Sequence, residues 1–174
     1  MTTSNHNIIR IAVIGGMMLL AGLSRLIPHP FNFTAIMALA LFGGAKFKSK
    51  PLAVVLPLIV MLITDAIIGF YSLMPFVYGC IVITALIGTT IGQKANPFYV
   101  ISGSLISSVL FFLVTNAVVW YHNPQFTQDP SGLMFCYDVA VPFFKNQISG
   151  DLFFNFILFG SYRLVKSRIP SLAY

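Results

Sequence analysis

Hydrophobic residues run through the chain in long stretches, which short polar or proline-containing segments separate. A helix of roughly 20 apolar residues crosses a bilayer core about 30 Å thick, and most of these stretches approach that length. The pattern predicts an all-α membrane protein with six transmembrane helices, at about residues 7–26, 34–47, 51–70, 75–92, 98–121 and 147–165. The polar and aromatic residues 122–146 are predicted to form a long loop.

Composition supports the membrane interpretation. Of the 174 residues, 57% are hydrophobic and only 8% are charged, whereas a soluble domain carries about 25% charged residues. A soluble fold of this length cannot bury so much apolar surface, so we expect one six-helix domain, residues 1–174, in a lipid bilayer. The net charge of +6 also occurs in nucleic-acid-binding proteins, but the basic residues cluster at the ends of the predicted helices. We therefore expect no nucleic-acid partner.

The basic residues also predict how the helices are oriented in the membrane. An even number of helices places both termini on one side, and that side carries eight of the ten lysines and arginines. These are Arg10, Lys46, Lys48, Lys50, Lys94, Arg163, Lys166 and Arg168, whereas Arg25 and Lys145 fall on the other side. Because basic residues concentrate on the cytoplasmic side, both termini are predicted to be cytoplasmic.

Three reactive or ionisable side chains lie at a similar depth within the predicted helices. Asp65 is near the outer end of the third helix, Cys80 near the outer start of the fourth and Asp151 near the outer start of the sixth. With a rise of 1.5 Å per residue, Cys80 and Asp65 lie roughly 8 Å below the outer helix ends. Ionisable groups inside a membrane are costly and mark functional sites. Their common depth predicts a cavity that opens outward, rather than a proton path across the bilayer.

Cys80 has three interpretations that the sequence leaves open. A buried free cysteine packs like a small hydrophobic residue. Cys80 and Cys136 are both on the predicted outer side, where a disulfide persists, although a cysteine inside a helix has few partners with suitable geometry. A thiolate also ligates soft transition metals, but no second cysteine, histidine pair or carboxylate cluster accompanies Cys80. A metal that a macrocycle already holds needs only one axial ligand, so a single cysteine suffices there.

The other candidate residues also have both a structural and a functional interpretation. His29 is either an exposed loop histidine or a contact at the rim of the cavity. Asp65 and Asp151 either pair with Arg25 or Lys145, or accept hydrogen bonds from an amide-rich ligand. Aromatic residues at the outer interface either form a belt at the membrane surface or line a pocket for a flat ring. These aromatic residues are Tyr71, Tyr78, Trp120, Tyr121 and Phe126.

The first predicted helix carries small residues one turn apart, in Ala12-x-x-x-Gly16. Small residues allow another helix to approach closely in lipid, either within this chain or in a partner subunit. The later run Gly43-Gly44-Ala45-Lys46 lacks the spacing and the Ser/Thr of a phosphate-binding loop. The sequence thus carries no visible ATPase, so the protein either works alone or borrows an energising partner, for which the Ala12/Gly16 face is the candidate docking site.

Five segments give the chain a resemblance to a known family. They are Arg25-Leu-Ile-Pro-His-Pro-Phe-Asn-Phe-Thr34, Ala38-Leu-Ala-Leu-Phe-Gly-Gly44, Met74-Pro-Phe-Val-Tyr-Gly-Cys80, Pro142-Phe-Phe-Lys-Asn146 and Gly150-Asp-Leu-Phe153. With the six short helices, they are similar to the solitary cobalamin-specific S-components of bacteria. S-components are the substrate-capturing membrane subunits of the energy-coupling-factor (ECF) vitamin transporters.

The resemblance implies a six-helix S-component bundle in the bacterial inner membrane, which binds cobalamin (vitamin B12) and takes it up. It implies that Cys80 is the axial ligand of the corrinoid cobalt and helps to displace cyanide from cyanocobalamin, a reductive decyanation. Besides Cys80, we predict four further substrate-binding residues from their depth below the outer surface and their expected orientation toward the cavity. They are His29, Asp65, Tyr78 and Asp151. Cobalamin is the bound substrate, and no separate cofactor is expected.

Three alternatives remain open at this stage, and one of them is a scaffold or assembly subunit that binds no small ligand. A protein with the same fold could take up another vitamin or a metal, in which case Cys80 has no special role. A membrane enzyme could process corrinoids without transporting them. Cys80 is the candidate catalytic residue if the protein removes cyanide from cyanocobalamin. An ECF energising module on the Ala12/Gly16 face is the predicted partner in the leading hypothesis.

Overall fold

The computed structural model describes residues 3–92 and 96–169, and these residues form helices and no strands. The helices are α1 (Thr3–Leu23), α2 (Ile36–Lys46), α3 (Lys50–Ile68), α4 (Met74–Ile91), α5 (Pro97–His122) and α6 (Pro130–Arg168). A 3-10 turn, Ser24–Leu26, extends α1. The first five helices agree with the predicted boundaries within a few residues. Lys94, which the orientation argument uses, lies outside the described residues.

Within the part of the chain that the structure describes, four helical segments are long and apolar enough to cross a membrane. They are Asn7–Leu26, Lys50–Ile68, Met74–Ile91 and Pro97–His122. Helix α2 has 11 residues and is therefore only about 16 Å long, which is shorter than the hydrocarbon core of a bilayer. The all-helical fold and the four apolar helices indicate a membrane protein.

Helix α6 begins much earlier than the sequence analysis predicts. The loop predicted for residues 122–146 is wrong from Pro130 onward, because α6 runs without interruption from Pro130 to Arg168. Asp129 caps this helix by accepting a hydrogen bond from the Gly132 backbone N–H at 2.7 Å, and Pro130 occupies the first turn. Hydrogen bonds from Ser131, Gly132 and Thr127 hold the pKa of Asp129 below its usual range. A negatively charged residue at a helix N-terminus is stabilising. The polar residues around Asp129 therefore mark the start of a helix and not the middle of a loop.

The short helix α2 is the centre of the bundle. It contacts each of the other five helices, and every residue from Met37 to Lys46 is buried. A helix that is apolar on all sides can only be stable inside a protein or a membrane, and the small residues of α2 allow several neighbours to approach it at once. The position of α2 therefore determines where the longer helices lie.

Helices α2 and α4 cross at two glycines. A Cβ atom added to Gly44 would lie 2.8 Å from the Gly88 Cα and even closer to the Ala85 carbonyl oxygen. A Cβ on Gly88 would in turn lie 2.9 Å from the Gly44 Cα. Neither helix can carry a side chain at the crossing, because the obstructing atoms belong to the backbone of the other helix.

The two ends of the bundle differ in character. One end carries Lys46, Lys48, Lys50, Arg163 and Lys166, and we call it the basic end. There the Arg10 guanidinium donates a 2.7 Å hydrogen bond to the Lys46 carbonyl, and the Lys46 ammonium lies 5.1 Å from the Phe159 ring centroid. We call the opposite end, where the α1–α2, α3–α4 and α5–α6 connections lie, the cavity end.

The small residues of α1 divide into two groups. Gly22 packs within the chain, because a Cβ there would overlap the Val60 side chain. Ala12 and Gly16 are exposed, and a Cβ on Gly16 would meet no atom within 4 Å. The within-chain interpretation of the Ala12/Gly16 face is therefore wrong. This face is available to lipid or to a partner.

The α2–α4 crossing makes a direct prediction for Gly44→Ala. The added methyl group would collide with the α4 backbone and destabilise the fold by about 1–3 kcal/mol. For a chain of this size that corresponds to a fall of roughly 2–12 °C in the midpoint of thermal unfolding in detergent. Gly16→Ala is the matched control, because its added methyl group meets nothing in the chain. Equal unfolding midpoints for the two variants would contradict the close backbone contact of α2 with α4 at Gly44.

Candidate functional site

A cavity of about 400 Å³ opens at the cavity end. Its walls come from the end of α1, the α1–α2 and α3–α4 connections, and the facing surfaces of α5 and α6. Drug-sized ligands occupy cavities of roughly 300–1,000 Å³, lined by apolar groups and a few polar ones. The cavity has this mixed character. Its polar and charged lining residues are Arg25, His29, Asn32, Thr34, Tyr71, Thr115, Asn116, Gln147 and Asp151.

The α1–α2 connection, residues 27–35, covers one side of the cavity. It is held against α6 by a 3.2 Å hydrogen bond from the Asn146 side chain to the Phe31 carbonyl. The Phe31 and Phe143 rings also meet edge to face, with centroids 6.0 Å apart. Asn32 in this segment has a positive φ of 63°, a conformation that asparagine tolerates better than most residues. The early part of α6 therefore builds a wall of the cavity and anchors its cover.

Asp65 and Tyr78 belong to a buried ion-pair cluster beside the cavity. The Arg25 guanidinium lies 2.9 Å from the Asp65 carboxylate and also donates to the Thr64 hydroxyl. The Tyr78 hydroxyl donates to Asp65 at 3.0 Å. Asp65 is fully buried, so the cluster joins α1, α3 and α4 in an apolar interior, and only Arg25 faces the cavity. The structural interpretation of Asp65, pairing with Arg25, is the one that the geometry supports.

Tyr71 lies in the turn between α3 and α4 and lines the cavity. Burial and the nearby Asp65 carboxylate raise the pKa of Tyr71 to about 12. Its phenol group therefore stays protonated at physiological pH and can donate a hydrogen bond to a ligand.

Cys80 lies beneath the cavity and does not line it. Its side chain is buried in an apolar cluster that includes Met37 and Val77, and these two residues do line the cavity. Val77 is one helical turn before Cys80 on α4, so the thiol is one layer of side chains below the cavity floor. Both cysteines are free, and the Cys136 thiol contacts the Asn116 carbonyl oxygen at 3.5 Å. The disulfide interpretation is therefore wrong.

Asp151 and His29 both line the cavity, Asp151 in its buried part and His29 at its exposed rim. Asp151 is buried at the α5–α6 interface, where the Ser108 hydroxyl donates to it at 2.7 Å. No basic side chain of residues 3–92 and 96–169 forms an ion pair with it. His29 is exposed at the rim, with its Nδ1 3.0 Å from the Pro30 carbonyl oxygen. Asp151 is thus a buried acceptor and His29 a rim contact.

Several cavity residues are absent from the predicted set. Phe143 and Ala140 lie in the segment that was predicted to be a loop, although Asp129-Pro130 is a typical cap and first residue of a helix. Gln147 and Asn116 have visible helical spacings with Asp151 and Trp120, but those spacings identify a shared face and not what that face contacts. Only the packing of α5 against α6 turns both residues toward the cavity.

Comparison with known proteins gives a family and no described function. Residues 5–172 match DUF6580, a family of unknown function, and the chain belongs to that family. Neither the curated proteins nor the solved structures include a significant match.

The ion-pair cluster predicts strong coupling between Arg25 and Asp65. Removing one member of a buried pair leaves an uncompensated charge, so Arg25→Met and Asp65→Asn should each destabilise the protein by about 3–5 kcal/mol. The double variant should lose much less than the sum of the two, measured by thermal unfolding in detergent. Lys145→Met, at an exposed position of the same end, is the control. Additive losses in the double variant would show that the pair is not coupled.

Proposed function

We propose that this DUF6580 member is a substrate-capturing membrane subunit, similar to an S-component, that binds cobalamin at the cavity end and delivers it across a bacterial inner membrane. In this proposal all six helices cross the membrane and both termini are cytoplasmic, so the cavity faces outward. The basic end then faces the cytoplasm, in agreement with the positive-inside rule.

One observation carries the proposal. The floor of the cavity, formed by Met37 and Val77, packs directly above the buried thiol of Cys80. A corrin ring is flat, and its cobalt needs only one further ligand on the face that enters the protein. Displacement of these two floor side chains would bring the cobalt and the thiolate together, since a thiolate ligates soft metals. Methionine adapts easily to such a displacement, because its side chain is unbranched and flexible.

The wall above the floor suits the periphery of a corrinoid. Cobalamin carries amide side chains, and the lining provides both donors and acceptors for amides. Arg25 and Tyr71 donate hydrogen bonds, Asp151 accepts them, and Asn116 and Gln147 do both. His29 at the rim would meet the part of the ligand that remains nearest the solvent.

Entry of so large a ligand requires the cover to move. Cobalamin exceeds the drug-sized class that a 400 Å³ cavity accommodates. The outer part of the cover (residues 27–35), around Phe31, is attached to α6 through the Asn146 hydrogen bond and the Phe31–Phe143 contact. At its base, Phe33 packs against Phe153 and Phe154, and its backbone lies close to Gly150. Opening the outer part breaks only the first two contacts, which are partly exposed, and leaves the base in place.

The chemical step in this proposal is an exchange of axial ligands. The Cys80 thiol loses its proton and its sulfur forms a bond to cobalt, the cobalt–carbon bond to cyanide breaks, and cyanide leaves with its electron pair and takes up the proton as hydrogen cyanide. The thiolate thereby fixes the corrinoid in the cavity. Reductive decyanation, which the resemblance implies, would in addition require one electron from an external thiol reductant, which takes cobalt from the +3 to the +2 state. An ECF energising module docking on the exposed Ala12/Gly16 face is the partner that the resemblance implies.

A smaller solute is the second candidate, and two observations favour it. The cavity volume fits a drug-sized molecule without any movement of the cover, and Cys80 is buried and absent from the cavity lining. The residues of the wall would then determine specificity. In that case Cys80 is a packing residue of the apolar cluster.

Cys80→Ala separates the two candidates. We expect purified wild-type protein to bind cyanocobalamin and to shift its visible spectrum as sulfur replaces cyanide on cobalt. Cys80→Ala should lose this shift completely, while Cys136→Ala, which also removes a buried free thiol, should retain it.

The spectrum also tells us when the proposal fails. A wild-type protein that stays colourless with added cobalamin would exclude corrinoid binding. A shift that survives in Cys80→Ala would exclude the axial thiolate. Uptake of cobalamin by cells that lack other importers, measured beside the spectrum, separates transport from corrinoid processing without transport.

A further inference from the structure

Four buried polar side chains face one another between α5 and α6. They form two pairs, one helical turn apart on each helix, because Ser104 and Ser108 are four residues apart and so are Asp151 and Asn155. The Ser108 hydroxyl donates to the Asp151 carboxylate at 2.7 Å, and the Asn155 Nδ2 donates to the Ser104 hydroxyl oxygen at 3.1 Å. All four are at most 3% exposed. We call this group the oxygen cluster.

The oxygen cluster lacks a cation and one hydrogen-bond donor. The Ser108 hydroxyl and the Gln147 amide donate to the Asp151 carboxylate, but no basic side chain of the described residues pairs with it. The side-chain oxygen of Asn155, also buried, has no hydrogen-bond partner among the described residues. A buried polar atom without a partner is costly, and a buried charge without one is far more so. A positively charged group between the two helices would satisfy both atoms.

The available ligand atoms point to one kind of ion. They are all oxygens, from a carboxylate, an amide and two hydroxyls, which hard cations prefer. With Asp151 ionised the cluster has a single negative charge, so a monovalent ion that displaces the proton leaves the buried site neutral, whereas a divalent ion would leave a net positive charge there. Among the described residues, no group of three or more His, Cys, Asp or Glu side chains is present to hold a transition metal.

The oxygen cluster also lies between two openings. Asp151 lines the cavity at the cavity end. Asn155 lines a groove of about 630 Å³ near the basic end, together with Lys46 and Tyr162. Positions four residues apart on a helix differ by about 6 Å in rise, so little more than one turn of α6 separates the two openings.

We propose that the oxygen cluster binds a sodium ion and links its binding to that of the ligand in the cavity. Because Asp151 belongs to both sites, occupancy of one changes the free energy of the other, and the linkage is reciprocal. A sodium ion that enters on the cavity side and leaves through the groove would supply the energy source that the sequence does not otherwise show. The sodium site does not depend on which ligand the cavity binds.

Sodium binding is tested on the purified full chain without any cavity ligand. Sodium chloride replaces choline chloride at constant ionic strength and pH, and the midpoint of thermal unfolding is recorded. We expect a saturable rise of roughly 5–10 °C at about 100 times the dissociation constant, with a smaller effect of potassium chloride. Asp151→Asn should abolish the rise. Asp138→Asn, an exposed aspartate on the same helix, should retain it.

A second variant keeps the test decisive if Asp151→Asn does not fold. Ser108→Ala removes one oxygen ligand and keeps the carboxylate, so the sodium concentration for half-saturation should rise about tenfold. No rise with sodium, or a rise that Ser108→Ala and Asp151→Asn leave unchanged, would overturn the proposal. Stabilisation that follows pH and ignores sodium would also overturn it, in favour of a proton. Since no cavity ligand is present, none of these results depends on cobalamin binding.

Discussion

The contact between Gly44 and Gly88 is the constraint on which the rest of the bundle depends. Helix α2 is short and buried on all sides, so its neighbours are positioned by how closely they can approach it. At the glycines, α4 comes into backbone contact with α2. This approach brings Met37 of α2 beside Val77 and Cys80 of α4, and those residues form the floor of the cavity and the layer beneath it. A side chain at the crossing would separate the helices and open the floor.

Polar groups buried in the bundle have two different roles. The Arg25–Asp65–Tyr78 cluster pairs its carboxylate with a guanidinium and fastens α1 to α3 and α4. The oxygen cluster has a carboxylate without a cation partner and an Asn155 oxygen without a hydrogen-bond partner among the described residues. Burial alone does not distinguish the two, since Asp65 and Asp151 are both fully or almost fully buried. The distinction is whether a cation partner is present among the described residues, and on that basis we propose a functional role for Asp151 and not for Asp65.

The sequence predicted the first five helices well, because each is an apolar run with a proline, glycine or polar break at its ends. It missed the start of α6, because the polar and aromatic residues after Asp129 are typical of a loop. Asp129-Pro130, a common cap and first residue of a helix, was the opposing indication. It predicted Asp65, Cys80 and Asp151 near the outer ends of their helices, but Asp151 lies well inside α6, and it alone of the three lines the cavity. The position of a residue along a helix follows from its residue number. Whether its side chain points into the cavity depends on how the helices pack together, and the central helix α2 determines that packing. The six-span count, the orientation and the ligand stay predictions.

X-ray absorption at the cobalt edge tests the central claim most directly. Purified protein would be loaded with cyanocobalamin and freed of excess ligand, and the atoms bound to cobalt would be identified from the fine structure of the absorption spectrum. The account predicts one sulfur atom bound to cobalt, in place of cyanide, in the wild-type protein. A cobalt that keeps only nitrogen, oxygen or cyanide ligands in the bound complex would contradict the role of Cys80.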